Sequence, residues 1–166
     1  MPDNRRQNGR ITDAAAIDAT NRKLLAELQT DARLSLAELG RRVGLSSPAV
    51  AERLQRLEQD GVILGYHARI DPRALGCSLS AVIRTRPAPG QLKVVAQVAR
   101  DTPEVVECRR ITGDDCYVML AHVRDVEHLE EVIDRFTTHG QTTTSIVQSS
   151  PVPPRGLDLS DPATSG

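Results

Sequence analysis

The spacing of apolar residues changes once along the chain, close to Gly61. From about Ile17 to Leu57, apolar residues recur every three or four positions, as they do on one face of a helix. After Gly61, apolar and polar residues alternate, which is typical of strands buried on one side. The change predicts a helical region and a mixed region, with the boundary within residues 61–76.

The mixed region predicts four strands and two helices in the order βαββαβ. The strands are expected near residues 77–85, 104–111, 116–124 and 141–149, and the helices near residues 90–100 and 126–138. We expect Asp125 to cap the second of these helices and Gly140 to end it. The order is that of a ferredoxin-like sandwich, an α+β fold in which two helices pack on one face of an antiparallel sheet. Residues 62–71 predict a further strand that leads into it.

The strongest local signals stand between the first helix and Gly61. Ser35 and Glu38 match a capping box, which predicts the start of a helix. Gly44 supplies the left-handed position that ends this helix, and Ser46 or the serine after it caps the next one. Gly40 is small where the second helix must cross closely. Two short helices joined by about three residues around a glycine indicate a helix-turn-helix, with a plain helical hairpin as the alternative.

If DNA is the partner, the second helix lies in the major groove with its N-terminal residues at the base edges. We expect Arg53 to contact guanine through two hydrogen bonds and Glu52 to accept one from cytosine. Phosphate contacts suit the other arginines and would add affinity without sequence information. For each arginine the alternative is an ion pair with Glu38, Glu52 or Glu58 on a solvated face. The expected DNA-binding residues are Ser46, Ser47, Ala49, Glu52, Arg53, Arg56, Arg41 and Arg42.

The composition permits such a partner without requiring it. The formal net charge of -1 excludes a uniformly basic coat, although a local basic patch remains open. With 39% hydrophobic and only 2% aromatic residues, the core is expected to be aliphatic. The sequence shows no apolar signal core and no apolar run of membrane-spanning length, which predicts a cytoplasmic, nucleoid-associated protein.

A second cluster, the run GDDC at residues 113–116, joins two acids and a thiol behind a glycine. Thiol catalysis needs a nearby base, but His122, the nearest histidine in sequence, lies roughly 20 Å from Cys116 along an extended strand. A metal site needs further ligands at suitable spacing, and the three cysteines are scattered. From the residues alone, a β-hairpin turn is the favoured interpretation. We therefore expect no cofactor and no metal.

Three runs of the sequence resemble one known family. They are RLSLAELGRRVGLSSPAVAERLQRLEQDGVILGYHARIDPRALG, PEVVECRRITGDDCYVMLAHV and HLEEVIDRFTTHGQTTTSIVQSSPV. They make roughly residues 17–152 similar to the leucine-responsive regulators, also called Lrp/AsnC or feast/famine regulators. The resemblance implies a transcription regulator with a winged-type helix-turn-helix and a βαββαβ effector domain of the RAM type. It also implies dimers, often assembled into octamers, with an amino-acid effector bound between subunits of neighbouring dimers.

The resemblance also implies that the GDDC turn lines the effector pocket. A carboxylate can hold the ammonium group of an amino acid, while N–H groups and hydroxyls hold its carboxylate. One face of the last strand carries Thr142 and Thr144, the other Thr143 and Ser145, and we expect the first pair to face the turn. Relatives frequently have G-D-x-D-Y here, so Cys116 in place of the second Asp predicts a different effector. The expected effector-binding residues are Gly113, Asp114, Asp115, Cys116, Thr142 and Thr144.

These inferences combine into a DNA-binding regulator whose partners are operator DNA, further copies of itself and a small molecule, expected to be an amino acid. The expected plan is a disordered tail (1–12), a helix-turn-helix domain (13–60), a linker strand and connector (61–76), a ligand-sensing and oligomerisation domain (77–150) and a flexible tail (151–166). Two alternatives stay open. One is an enzyme on the same scaffold, similar to sirohaem decarboxylases, with His122 as its candidate residue. The other is an architectural DNA-binding protein without an effector.

Overall fold

The computed structural model describes residues 17–160, which divide into two compact units. Residues 17–67 and 154–160 belong to the helical unit, and residues 68–153 form the sheet unit. The predicted tail at residues 1–12 lies outside the described residues, as does the 161–166 part of the predicted tail at 151–166. Within residues 17–160, no helix combines the length and the apolar character that crossing a membrane requires.

The described part of the helical unit contains three helices, and side-chain caps set where the first two begin. They are α1 (Ala19–Thr30), α2 (Leu36–Val43) and α3 (Ser47–Gln59). Asp18 accepts a hydrogen bond from the Asn21 N–H at 2.6 Å, and Ser35 accepts one from the Glu38 N–H at 3.2 Å. These bonds satisfy N–H groups that a helix leaves unpaired in its first turn. The shared core of the three helices consists of Leu24, Leu39, Val50, Leu54 and Leu57.

Two glycines make the turn between α2 and α3 possible. Gly44 ends α2 with a φ of +75°, in the left-handed region that glycine adopts without strain. At Gly40, a Cβ atom would stand 2.4 Å from the backbone oxygen of Leu45. The Leu45 N–H donates to the Gly40 oxygen at 2.9 Å and so closes the turn. The predicted helix-turn-helix is confirmed.

The sheet unit has the predicted order βαββαβ. Its elements are β1 (Leu79–Pro87), α4 (Leu92–Asp101), β2 (Val105–Arg110), β3 (Tyr117–Val123), α5 (Val126–Thr137) and β4 (Gly140–Ile146). The strands pair antiparallel in the order β2-β3-β1-β4, which is the ferredoxin-like arrangement. Every second residue of β3 is buried, because α4 and α5 pack on one face of the sheet and leave the other open. Phe136 of α5 is fully buried in this otherwise largely aliphatic core.

The ends of α5 agree only in part with the prediction. Asp125 caps the helix, as expected, by accepting the His128 N–H at 2.7 Å. The helix ends at Thr137, however, and Gly140 already pairs with Pro87 in the sheet. A Cβ atom on Gly140 would stand 2.2 Å from the backbone oxygen of Arg86. The glycine is therefore required for the close approach of β4 to β1, and not as the stop of the helix.

Residues 62–71 differ from the prediction of a strand. Among residues 17–160 they form none, so α3 is not followed by a β wing there. A strand needs a neighbouring backbone for its hydrogen bonds, and none of the four strands pairs with this segment. A short 3-10 turn, Pro72–Leu75, leads from it towards β1.

Candidate DNA-binding surface and ligand site

The residue immediately before α3 is a serine whose hydroxyl does not cap the helix. Ser46 is exposed and occupies the N-cap position, but its side chain accepts no capping hydrogen bond from the described residues of α3. Pro48 follows in the first turn, where a missing N–H costs nothing. The unpaired N–H groups of a helix N-terminus attract anions. The start of α3 therefore suits contact with DNA.

Further along α3, the predicted contact residues differ in exposure. Ser47 and Ala49 are half-buried, whereas Glu52 is exposed. The Arg56 side chain is 70% exposed and pairs with Glu52 one turn away. Exposed helix pairs at this spacing contribute about 0.3–0.5 kcal/mol, so a DNA phosphate can replace Glu52 as the partner at little cost. Arg56 is therefore available to DNA.

Arg41 and Arg42 of α2 share the carboxylate of Glu38. Arg41 contacts it at 2.6 and 2.9 Å, and Arg42 at 2.7 Å. The hydrogen bond from Arg41, and then that from Arg42, lowers the pKa of Glu38 to about 2. Arg42 also binds Glu27 of α1 at 2.7 Å and is 35% exposed, whereas Arg41 is 72% exposed. Arg42 thus ties α2 to α1, while Arg41 faces solvent.

Arg53, predicted to read guanine, is bound within the helical unit. Its NH1 group donates to Asp18 Oδ2 at 2.7 Å and to Asn21 Oδ1 at 2.9 Å. The hydrogen bond from Arg53 is the main reason that the pKa of Asp18 lies below its ordinary value. Both acceptors lie at the start of α1, so Arg53 fastens α3 to α1. To reach a base edge, Arg53 would have to leave both of them.

The GDDC run forms the predicted turn between β2 and β3. Gly113 has a φ of +107°, which favours glycine, and the Ile111 N–H closes the turn by donating to the Cys116 oxygen at 2.9 Å. Cys116 is half-buried and packs against the core of the sheet unit. Its own N–H donates to the Thr85 oxygen at 3.0 Å. The thiol therefore lies on the inner side of the turn.

The two acids of this turn stand beside two arginines of β1. Arg86 donates from Nε to the Asp114 backbone oxygen at 2.9 Å, and its NH2 lies 3.1 Å from the Asp114 carboxylate. Arg84 lies 3.9 Å from the carboxylate of Asp115. The Asp114 side chain is 92% exposed and that of Asp115 is 29% exposed. The turn can therefore offer carboxylates to an ammonium group. The two arginines hold the turn and offset the negative charge of its carboxylates.

Thr142 and Thr144 lie on the face of the sheet that the helices cover. Thr142 is the cross-strand partner of Thr85, and Thr144 is the partner of Ile83; both partners are fully buried. The arginines that contact the turn alternate with these two residues along β1 and so belong to the open face. The structure therefore brings Thr142 near Thr85 and Cys116, whereas the acids meet the arginines of the opposite face.

Sequence reasoning missed Thr85 and the two arginines of β1. The Thr85 hydroxyl is buried and has no hydrogen-bond partner among the residues that the structure describes, a situation that costs about 1–3 kcal/mol. Alternation along β1 could have placed Thr85 inside the fold, but no local pattern shows that its hydroxyl stays unpaired. Arg84 and Arg86 form a basic stretch that pairs with an acidic turn, and this charge pattern was the available signal.

The histidines of the sheet unit have partners away from the turn. His122 Nδ1 lies 2.8 Å from the Ser80 hydroxyl, and His128 Nε2 lies 2.8 Å from Glu104, which also binds Arg135 at 3.0 Å. Burial would raise the pKa of Glu104, but hydrogen bonds from its own backbone, His128 and Arg135 together hold it below its ordinary value. Within residues 17–160, no three His, Cys, Asp or Glu side chains converge as a metal site would require.

Two family models match the chain. The AsnC-type helix-turn-helix domain matches residues 17–58, and the Lrp/AsnC ligand binding domain matches residues 80–157. YezC of Bacillus subtilis, described as an uncharacterized HTH-type transcriptional regulator, is 42% identical over 134 residues, which cover 81% of this chain and 95% of YezC. The HTH-type transcriptional regulator LrpA of Mycobacterium tuberculosis is 38% identical over 130 residues, which cover 78% of this chain and 87% of LrpA.

A solved structure agrees with both matches. A feast or famine regulatory protein from M. tuberculosis, complexed with L-methionine, has a TM-score of 0.80 at 36% identity and covers 86% of this chain and 99% of its own. These relatives are described as transcriptional regulators and not as enzymes, which favours the regulator over the enzymatic alternative on this scaffold. The helical unit and the sheet unit each match their own domain of one family. The chain is a member of the Lrp/AsnC family of DNA-binding transcriptional regulators.

Proposed function

We propose that the protein binds operator DNA through α2 and α3 and changes this binding when the sheet unit takes up an amino acid. The observation that carries the DNA-binding half is the exposed Ser46 before α3 together with two exposed arginines, Arg41 of α2 and Arg56 of α3. The ligand half is supported by the two carboxylates of the GDDC turn and by the L-methionine bound to a relative of the same fold.

On the DNA side, we assign base contacts to the first turns of α3 and phosphate contacts to its flanks. Arg41 and Arg56 suit phosphates because they are the most exposed of the four predicted arginines. Arg42 and Arg53 instead hold α2 and α3 against α1, and so position the surface. The residues assigned to base edges are Ser46, Ser47, Ala49 and Glu52.

A pair of variants separates a positioning role of Arg53 from base reading. If Arg53 positions α3, Arg53→Ala and Asp18→Asn both destabilise the helical unit and weaken operator and non-specific DNA binding alike. If Arg53 reads guanine, Arg53→Ala removes about 1–3 kcal/mol of operator binding alone, and Asp18→Asn frees the arginine without loss. We expect the first pattern, because both Arg53 acceptors lie in the helical unit. Anisotropy titrations on operator and scrambled duplexes distinguish the two.

For the ligand, we assign its ammonium group to the carboxylates of Asp114 and Asp115. Gly113 and Cys116 then shape the turn, whereas Thr142 and Thr144 lie on the other face of the sheet from these two acids, so a ligand that meets both groups has to reach around the end of the sheet. Both threonines are half-buried on β4, an edge strand, so their hydroxyls can be reached from the rim of the sheet. A polar rim of this kind suits the carboxylate of an amino acid.

We propose further that the protein acts as a dimer and in higher assemblies such as an octamer. Residues 62–71 have no strand partner among residues 17–160, and they expose Leu64 to 82% and Ile70 to 62%. Segments outside any strand that expose large apolar side chains favour association. An effector that stabilises one assembly state would then change how many helix-turn-helix motifs bind DNA at once. Sedimentation velocity with and without amino acids measures this.

The direct test is a genome-wide DNA pull-down, followed by gel shifts on the top site with and without each amino acid. We expect site-specific binding whose affinity changes with one or a few amino acids, and we expect Asp114→Asn to lose that change. Asp134→Asn, an exposed acid on α5, is the matched control and should respond like the wild type. Absence of site-specific binding contradicts the proposed function.

The runner-up is an architectural DNA-binding protein without an effector. One observation favours it, since Arg86 and Arg84 already stand beside the two carboxylates that an ammonium group would need. A calorimetric titration that stays flat for all amino acids, combined with intact operator binding, would support this alternative.

A further inference from the structure

The end of the described chain returns to the helical unit and binds α1. Gln29 donates from Nε2 to the Leu157 oxygen at 3.0 Å, and its Oε1 accepts the Leu157 N–H at 2.6 Å. One side-chain amide thus pairs with both backbone groups of one residue, as a neighbouring strand would. Arg22 adds a longer contact, from NH1 to the Ser160 oxygen at 3.5 Å. Residues 154–160, which the sequence placed in a flexible tail, therefore belong to the helical unit.

Two features of residues 156–160 shape them for this contact. A Cβ atom on Gly156 would stand 2.6 Å from Gln29 Oε1 and 2.7 Å from Gln29 Cδ, so glycine lets the backbone approach the amide. Asp158 accepts the Ser160 N–H at 2.9 Å and folds the segment into a local turn. The Leu157 side chain is 79% exposed, so the backbone, and not an apolar anchor, makes the contact.

Through this contact, α1 has a second connection to the sheet unit, made of the chain itself and the hydrogen bonds that hold residues 157–160. The first connection runs through residues 67–68, where the helical unit passes into the sheet unit. The second runs from the end of β4 at Ile146 through residues 147–153, which contain Pro151 and Pro153. Prolines fix φ and stiffen a connection. The strand that carries Thr142 and Thr144 is thus joined to α1 by a short, proline-containing segment.

We propose that residues 156–160 are a clasp on α1, and that the clasp passes the ligand state of β4 to the DNA-binding helices. The coupling half of this proposal rests on the proposed function, whereas the clasp itself does not. If Gln29 releases Leu157, the helical unit keeps its three-helix core but loses the two hydrogen bonds that hold residue 157 to α1.

The test compares the full-length wild type with Gln29→Ala and with the control Gln59→Ala, an exposed glutamine at the end of α3. The first readout is hydrogen exchange of the Leu157 N–H. We expect Gln29→Ala to speed this exchange about ten-fold, because it removes the acceptor, and we expect the control to leave it unchanged. The second readout is the fold-change in operator affinity caused by L-methionine or L-leucine, which for coupled sites is typically about 5–150-fold.

We expect Gln29→Ala to bring that fold-change close to one while operator affinity without amino acid stays within about two-fold of the wild type. A chain ending at residue 153 should reproduce this result, and the control should not. Equal fold-changes in the wild type and Gln29→Ala, including no change in either, overturn the coupling. Rapid exchange of the Leu157 N–H in the wild type overturns the clasp. Failure of the proposed function is recognised separately, by a wild type that binds operator and scrambled DNA equally.

Discussion

Gly40→Ala tests whether the turn between α2 and α3 is set by the backbone contact at this glycine. In an ordinary helix, alanine in place of glycine stabilises by about 1 kcal/mol. Here the added Cβ atom would stand 2.4 Å from the Leu45 oxygen. An unstrained carbon–oxygen contact is about 3.3 Å, so the overlap is roughly 0.9 Å against a backbone atom. A shift of the Leu45 backbone to relieve this overlap would disturb the hydrogen bond that the Leu45 N–H donates to the Gly40 oxygen at 2.9 Å.

Overpacking of this kind costs about 1–3 kcal/mol, and a rigid backbone neighbour places it near the upper end. After the gain in helix propensity, we expect a net loss of about 1–2 kcal/mol, which for a small unit corresponds to a melting temperature lower by roughly 4–16 °C. The assays are thermal unfolding, which gives the melting temperature, and hydrogen exchange at core amides of α2 and α3, which reports the stability of this unit. Ala26→Gly, in the exposed middle of α1, measures the ordinary alanine–glycine difference in the same unit. An unchanged or raised stability of Gly40→Ala would refute the contact.

Three further predictions concern hydrogen bonds. Glu104→Gln should cost about 1.5–3 kcal/mol at neutral pH. Because the folded pKa of Glu104 is lowered, its contribution to the free energy of unfolding is present above the ordinary pKa of 4.5 and is lost as the pH falls through the folded pKa. Urea unfolding at several pH values should therefore show this loss of stability in acid for the wild type and not for the variant. Thr85→Val should leave the stability of the sheet unit unchanged or raise it by up to about 1 kcal/mol, and a loss above 1 kcal/mol would mean that the hydroxyl has a partner. Ser35→Ala should destabilise the helical unit by about 1 kcal/mol in the same assay, and an unchanged urea midpoint would contradict the cap.

Signals that act over a few residues were the ones that sequence reasoning located well. Ser35 caps α2, Gly44 adopts the left-handed conformation and Asp125 caps α5, because each of these roles depends on the backbone next to it. The order βαββαβ followed from apolar period alone, since burial on one face imposes alternation on a strand. In the capping box, Ser35 accepts the Glu38 N–H as expected, but the Glu38 carboxylate binds Arg41 and Arg42 instead of the Ser35 N–H.

Features that depend on distant residues could not be predicted in this way. Arg53 pairs with Asp18 across 35 positions of sequence, and no local pattern in the sequence shows this pair. The alternation of β4 shows that Thr142 and Thr144 share one face of the strand. Both faces of β4 are polar, however, so its sequence does not show which face the helices cover. The strand expected at residues 62–71 requires a partner that the described chain does not provide.

The central claim is that α3 reads DNA and that the sheet unit adjusts this reading. One measurement tests it most directly: anisotropy titration of the pulled-down operator duplex and of its scrambled sequence, over a range of salt concentrations, with and without L-methionine and L-leucine. We predict tighter binding to the operator, an affinity that falls steeply with salt, and an operator affinity that shifts with at least one of the two amino acids. Equal affinity for the two duplexes, or an operator affinity that neither amino acid changes, would contradict it.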